Sequence, residues 1–208
     1  MEDYEPSIFY RRTANSFSVC AIYVDDIILG ARHEEDVKEF ERVLESNFKI
    51  TKGQLDEVLG IKIVETESHI ELSQTQYIVD KATMFELRDS KEVSTPIIKG
   101  FSGKGSNTFI GDKYLKIIGA LGYAAKTTRA DIQYAFSYLS RFCQGPTIAH
   151  WNCARRALSY LFHTKNLSLQ YSKQKMEAQE MILARFTFLH FVRRYPRGRR
   201  GPALFNNA

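Results

Sequence analysis

Cysteine is scarce. Only Cys20, Cys143 and Cys153 occur, an odd count with no repeated close Cys/His spacing. That excludes a disulfide framework and argues against a structural zinc site. No apolar run approaches the roughly 20 residues that span a bilayer, so no membrane segment is expected. Positive charge is missing from the opening residues, Met1-Glu2-Asp3-Tyr4-Glu5, where a secretory signal would need it. These absences lead to the expectation of a soluble intracellular protein, cytoplasmic or nuclear. No internal repeat is present. What remains is an ordinary globular balance: 208 residues, 44% hydrophobic and 25% charged. Such a chain can bury a core, as one large domain or two small ones.

The formal net charge of +5 invites a nucleic-acid reading, but its distribution argues otherwise. Residues 173–208 carry 8 basic and 2 acidic side chains, a net +6. The other 172 residues carry 21 and 22, a net −1. The excess belongs to the tail, so any nucleic-acid argument for the body must come from a site.

Phe17, Val19, Ala21 and Tyr23 alternate with Ser16, Ser18, Cys20 and Ile22, a period of two that predicts a strand buried mainly on one face. Two aspartates and the run Ile27-Ile28-Leu29-Gly30 come next. Strand, polar tip and strand predict a hairpin, although the tip lacks the usual Asn-Gly or Asp-Gly. Val37, Phe40, Val43 and Leu44 predict a helix over 34–46. A second hairpin is expected over 58–64 and 69–73, then a helix over 74–85. Residues 91–111, rich in Ser, Thr, Gly and Lys, read as a linker. Beyond it the pattern is helical. One face carries Tyr114, Ile117, Ile118, Leu121 and Ala125, and Asp131 is an expected N-cap. Pro146-Thr147 opens another helix, with Ile148, Trp151, Ala154, Leu158, Leu161 and Phe162 on its stripe. The fold class is α+β, an antiparallel hairpin sheet with helices and then a helical region. Residues 193–202, rich in arginine and without periodicity, read as disordered.

Tyr23-Val24-Asp25-Asp26 is the segment that carries chemistry. Adjacent carboxylates at the tip of an apolar hairpin repel, and the flanking strands offer no cation. A divalent ion resolves that cost, and magnesium is often held by one or two carboxylates plus substrate phosphates. Two such ions form the arrangement for in-line phosphoryl transfer. A solvated Asp-Asp turn is the plain alternative.

The segment Tyr23-Val24-Asp25-Asp26-Ile27-Ile28-Leu29-Gly30 resembles the catalytic hairpin of reverse transcriptases, and the body resembles the copia-type long-terminal-repeat retrotransposon branch. Further likenesses occur in order along the chain: Glu5-Pro6-Ser7-Ile8-Phe9, Gly53-Gln54-Leu55 with Leu59-Gly60-Ile61, Leu72-Ser73-Gln74, Ser94-Thr95-Pro96, Gly119-Ala120-Leu121-Gly122-Tyr123, Thr128-Arg129-Ala130-Asp131-Ile132, Leu139-Ser140-Arg141-Phe142, and His150 ahead of Arg156-Ala157-Leu158. The resemblance covers roughly residues 4–172. It implies a partial polymerase palm with a thumb-like part over 1–90, a linker over 91–111 and a helical connection-like region over 112–172. It implies that Asp25 and Asp26 are catalytic and bind Mg2+. Tyr23 and Val24 then lie near the primer end, and Leu59, Gly60 and Ile61 support the primer strand, although an ordinary core hairpin explains those three equally. The implied partners are an RNA template, a DNA primer and deoxynucleoside triphosphates. His150 and Trp151 read as a capping histidine and a buried tryptophan.

The departures matter too. The family's third metal-binding aspartate lies on an earlier palm strand, and only Asp3 precedes Asp25 here. The fingers have no counterpart in the chain. Residues 173–208 contain no aspartate and so lack the carboxylates of the family's ribonuclease H domain. That tail is expected to be disordered or out of frame. The expected function is a fragment of an RNA-directed DNA polymerase, inactive alone. The alternative is a non-catalytic nucleic-acid-binding protein, or a decayed retroelement remnant.

Overall fold

The computed structural model describes residues 7–53, 55–105 and 111–173, and the backbone of 185–193. It is a mixed α+β fold with antiparallel sheets and five α-helices among the described residues. The chain divides into two compact units, residues 1–55 with 174–208, and residues 56–173. The division falls at residue 55, whereas the sequence pattern placed boundaries near 90 and 111.

In the first unit, β1 (Ile8–Arg12), β2 (Phe17–Tyr23) and β3 (Asp26–Ala31) form a meander. Helix α1 (Glu34–Asn47) comes next, then β4 (Lys49–Gly53). Glu34, Glu35 and Asp36 in the first turn of α1 complement the positive end of its dipole. Val37 and Leu44 are its buried positions. Among the described residues the core cluster is Cys20, Ile27, Leu29 and Leu44, with Phe9, Ile22, Phe40, Phe48 and Ile50 half-buried around them. The buried parity of β2 is that of Cys20, not the Phe17/Tyr23 parity that the alternation favoured. Tyr23 is 59% exposed and Cys20 only 3%. Both parities of β2 are largely apolar, so the choice fell to tertiary pairing of Cys20 with Leu29 across the ladder. Burial pushes the Cys20 thiol up to about 12, so it packs as an inert apolar group.

The sheet order is β1-β2-β3-β9-β4, where the inserted strand β9 is Arg185–Arg193. Its backbone pairs antiparallel with both β3 and β4. This corrects the expectation of an unstructured tail for that stretch. The run Phe186-Thr187-Phe188-Leu189-His190-Phe191-Val192 is aromatic and β-branched, the composition of a strand. Most of the arginine-rich segment, residues 194–202, lies outside the described residues.

In the second unit, β5 (Glu57–Val58), β6 (Ile61–Glu65), β7 (His69–Ser73) and β8 (Leu169–Ser172) form an antiparallel sheet in that order. Helices α2 (Thr75–Met84), α3 (Gly111–Thr127), α4 (Gln133–Ser140) and α5 (Ile148–His163) accompany it. Eighteen buried apolar residues make one core, among them Ile78, Tyr114, Ile117, Leu121, Leu139, Leu158 and Leu161. The expected face of α3 is buried throughout. Residues 91–105 carry no helix or strand, yet Ile97 and Phe101 pack on this core. They are a packed strap, not a spacer.

Buried polar contacts link the short motifs of this unit. Gln74, 1% exposed, accepts hydrogen bonds from the hydroxyls of Thr127 and Thr128. Arg129, 2% exposed, donates to both carboxylate oxygens of Asp131 at 3.0 and 2.8 Å. It also donates to the Thr164 carbonyl at 3.1 Å. Burial pushes the Asp131 carboxyl up, but hydrogen bonds and charge from Arg129 outweigh it and hold the group below its ordinary value. Asp131 is therefore not the N-cap that the sequence implied: a 3-10 turn precedes α4, and neither element has a side-chain cap. Thr147 does cap α5. Its hydroxyl accepts from the His150 amide, and His150 Nδ1 accepts from the Thr147 amide at 3.1 Å, a reciprocal capping box.

Candidate active site

Tyr23 and Asp26 are directly paired across β2 and β3. Val24 and Asp25 are thus a two-residue hairpin loop. Val24 has φ +54°, and Asp25 is not in the left-handed region. A positive φ at the first loop residue alone is the type II′ pattern, which normally takes glycine there. A β-branched residue in that region is a genuine outlier, at a cost of order 1–3 kcal/mol. The strand alternation puts Asp26 opposite in parity to the buried Ile27 and Leu29, so it does not join that core cluster. Tyr23 and Val24 are exposed, at 59% and 66%. Asp25 and Asp26 are half-buried, and each is engaged in an interaction within the chain.

Two adjacent carboxylates supply hard oxygen donors of the kind magnesium takes, with water and phosphate to complete the shell. The set is incomplete as a protein site. Among the described residues, no group of three or more His, Cys, Asp or Glu side chains is placed to hold a metal ion. A cation held by this pair would have to take its remaining oxygen donors from water or a phosphate-bearing ligand.

Leu59, Gly60 and Ile61 lie in the second unit. Val58 pairs with Ile61, so Leu59-Gly60 is another two-residue loop. Both residues have positive φ, +54° and +74°, the type I′ pattern. The Tyr123 hydroxyl donates to the Leu59 carbonyl. The expected strand over 58–64 is therefore broken by a tight turn into β5 and β6. The structure gathers Tyr23, Val24, Asp25 and Asp26 at one tip and Leu59, Gly60 and Ile61 at another. His150 is buried and Trp151 half-buried. Among the described residues, no helix is long and apolar enough to cross a membrane.

Sequence reasoning missed the neighbour that completes the first tip's sheet. In register, Asp26 stands opposite His190 of β9. The strand signal in Phe186–Val192 was legible, but the arginine run beyond it dominated the reading of the tail.

Residues 1–99 match the family described as reverse transcriptase (RNA-dependent DNA polymerase). The chain is 31% identical over 175 residues to the transposon Ty5-1 protein of Saccharomyces cerevisiae, covering 80% of this chain and 56% of that protein. It is 30% identical over 170 residues to the retrovirus-related Pol polyprotein from transposon TNT 1-94 of Nicotiana tabacum, covering 76% of this chain and 13% of the polyprotein. Against the Pol polyprotein from transposon RE2 of Arabidopsis thaliana it is 30% identical over 164 residues, 77% and 11% of the two chains. The chain thus spans about half of the first relative and a small part of the polyproteins. No solved structure matches. Reverse transcriptases as a family use divalent metals and bind nucleic acid. The chain carries a reverse transcriptase region of the copia-type retrotransposon family.

Proposed function

We propose that this chain carries the metal-binding hairpin of a reverse-transcriptase palm, and that taken alone it does not extend a primer. The observation that carries the reading is the aspartate pair at the hairpin tip, with Asp25 on a two-residue loop whose first residue is held at φ +54° and Asp26 opening β3. Asp25 and Asp26 are the residues that would hold Mg2+, and Tyr23 packs beneath the primer end with Val24 beside it. The cation, when bound, neutralises charge during in-line nucleotidyl transfer to an RNA-templated DNA primer. Leu59, Gly60 and Ile61 support the primer strand. The part of the fold up to residue 90 is palm and thumb-like, and the helices over 112–172 are connection-like. Inactivity alone is expected from the donor set: two carboxylates hold magnesium weakly, and among the described residues no counterpart of the fingers is at hand to align a triphosphate against the primer.

Two measurements test this. With magnesium and a primed homopolymer, the purified chain yields no extension. Extension that disappears in Asp25→Asn with Asp26→Asn would refute the inactivity. Millimolar magnesium raises the thermal midpoint of the chain slightly, and the double asparagine variant loses that response. An unchanged response in the variant removes the aspartates from the reading.

A further inference from the structure

The slot that β9 fills is supplied from far along the chain. β3 is paired with it from Asp26, opposite His190, to Ala31, opposite Arg185. β4 is paired with its other side from Lys49, opposite Arg193, to Gly53, opposite Phe188. Among the described residues β4 has no other strand neighbour, so β9 alone pairs it into the sheet. Taking β9 away leaves two rows of unpaired backbone N–H and C=O groups, which only another extended strand satisfies on both sides.

Chain order makes β9 separable. Between β4 and β9 lies a whole compact unit, residues 56–173. Among the described residues its buried core runs from Ile78 to Leu161. Its last strand, β8, ends at Ser172 and pairs with β7. Lifting β9 out of the first sheet therefore takes nothing from that core. Only residues 174–184 join Lys173 to β9, a contour of at most about 40 Å. A strand near one end of the chain, completing a sheet remote in sequence through a short tether, is the arrangement from which identical chains exchange elements.

We infer that the slot between β3 and β4 is a strand-acceptor surface whose partner is a second copy of this chain, each copy donating residues 185–193 to the other. A ladder recognises an extended backbone, and alternate side chains give it specificity. The slot accepts Arg185–Arg193 with a register irregularity between Lys49 and Ile50, and a second copy carries the identical strand. Exchange keeps the ladder pairing of the closed form. What opposes it is the effective concentration of the tethered strand, of about millimolar order for a short connector. In the exchanged dimer the second copy's His190 takes the register position opposite Asp26, so each copy completes the sheet beside the other's aspartate tip.

The test mixes two full chains, one with Ile28→Cys and one with Phe188→Cys. These positions are register partners, and directly opposed strand residues lie within disulfide reach. Neither chain holds both, so a 28–188 disulfide in the mixture forms only between copies. The chains are mixed in urea, refolded together at about 1 mM, oxidised and read by mass spectrometry. A covalent dimer with the 28–188 link is expected. Refolding about ten times more dilute lowers the ratio of dimer to monomer about tenfold, by mass action. An excess of a peptide of residues 185–193 competes for the slot and lowers the yield of the link at least about fivefold, whereas the same peptide with Leu189→Pro, which lacks a ladder donor, leaves it unchanged. A third full chain holding both substitutions is the closed control. If it links within itself while the mixture yields no 28–188 link, the strand is not exchanged and the proposal is overturned. If neither links, β9 does not fill the slot and the proposal falls with it. A link that the competing peptide leaves undiminished reports chance collision and also overturns it. Neither the aspartates nor magnesium enters these readouts, so this proposal and the palm reading stand or fall separately.

Discussion

Val24 and Leu59 share the same φ, +54°, each as the first residue of a two-residue hairpin loop. Their second loop residues differ. Leu59 is succeeded by Gly60, which takes the second positive φ without strain. The Leu59 carbonyl is also held by the Tyr123 hydroxyl. Val24 is succeeded by Asp25, with no glycine at either loop position, and its side chain is 66% exposed. The Leu59 tip is thus an anchored turn. The Val24 tip carries backbone strain next to two acids. Strain kept without a packing reason points to function.

The two units can be monitored separately, because Trp151, the sole tryptophan, lies in the second and Cys20 in the first. The largest effect is expected from Leu189→Pro. It removes a ladder hydrogen bond from the strand between β3 and β4 and costs about 3 kcal/mol or more. Labelling of Cys20 by a thiol reagent, read by mass spectrometry, rises sharply. If Cys20 stays protected, β9 does not stabilise the first unit. Arg129→Ala comes next, at about 3 kcal/mol, because it strands the Thr164 carbonyl and removes the charge partner of Asp131. Asp131 keeps partial solvent access, which sets the figure at the low end of its range. The urea midpoint of Trp151 emission falls accordingly.

His150 adds a pH test within the second unit. Burial holds its pKa below the usual histidine value. The unfolded chain therefore binds the proton first, and stability is lost as pH falls below about 6.5 toward the folded pKa. His150→Gln flattens that part of the Trp151 midpoint-against-pH curve. An unchanged slope would assign it to other groups. The smallest effects separate the two tips. Tyr123→Phe destabilises the second unit by about 1 kcal/mol, one hydrogen bond. Val24→Gly stabilises the first by about 1 kcal/mol, as relieved strain exceeds the entropy glycine adds to the unfolded chain. A destabilising Val24→Gly would mean that the valine packs and the comparison fails.

The hairpin around Asp25 and Asp26 was legible because apolar strands flank a polar tip, and so were the helical faces of α3 and α5. The buried parity of β2 was not, since Cys20 and Ile22 are as apolar as Val19 and Ala21. Thr128-Arg129-Ala130-Asp131 was visible as a motif, but its meaning depends on Gln74 and Thr164, which only the tertiary fold brings near. Asp131 looked like a cap because Asp before an apolar run often is one. Arg129, two residues earlier, takes its carboxylate instead. The place of β9 was beyond local reading, because a strand's propensity says nothing of which neighbours it joins.

The central claim is that Asp25 and Asp26 form a cation site at a strained turn. Manganese, a paramagnetic stand-in for magnesium, tests it most directly. At substoichiometric concentration it should broaden the amide resonances of residues 23–27 before any others, and Asp25→Asn with Asp26→Asn should abolish that broadening. Selective broadening elsewhere, or broadening that survives the double substitution, would contradict the account.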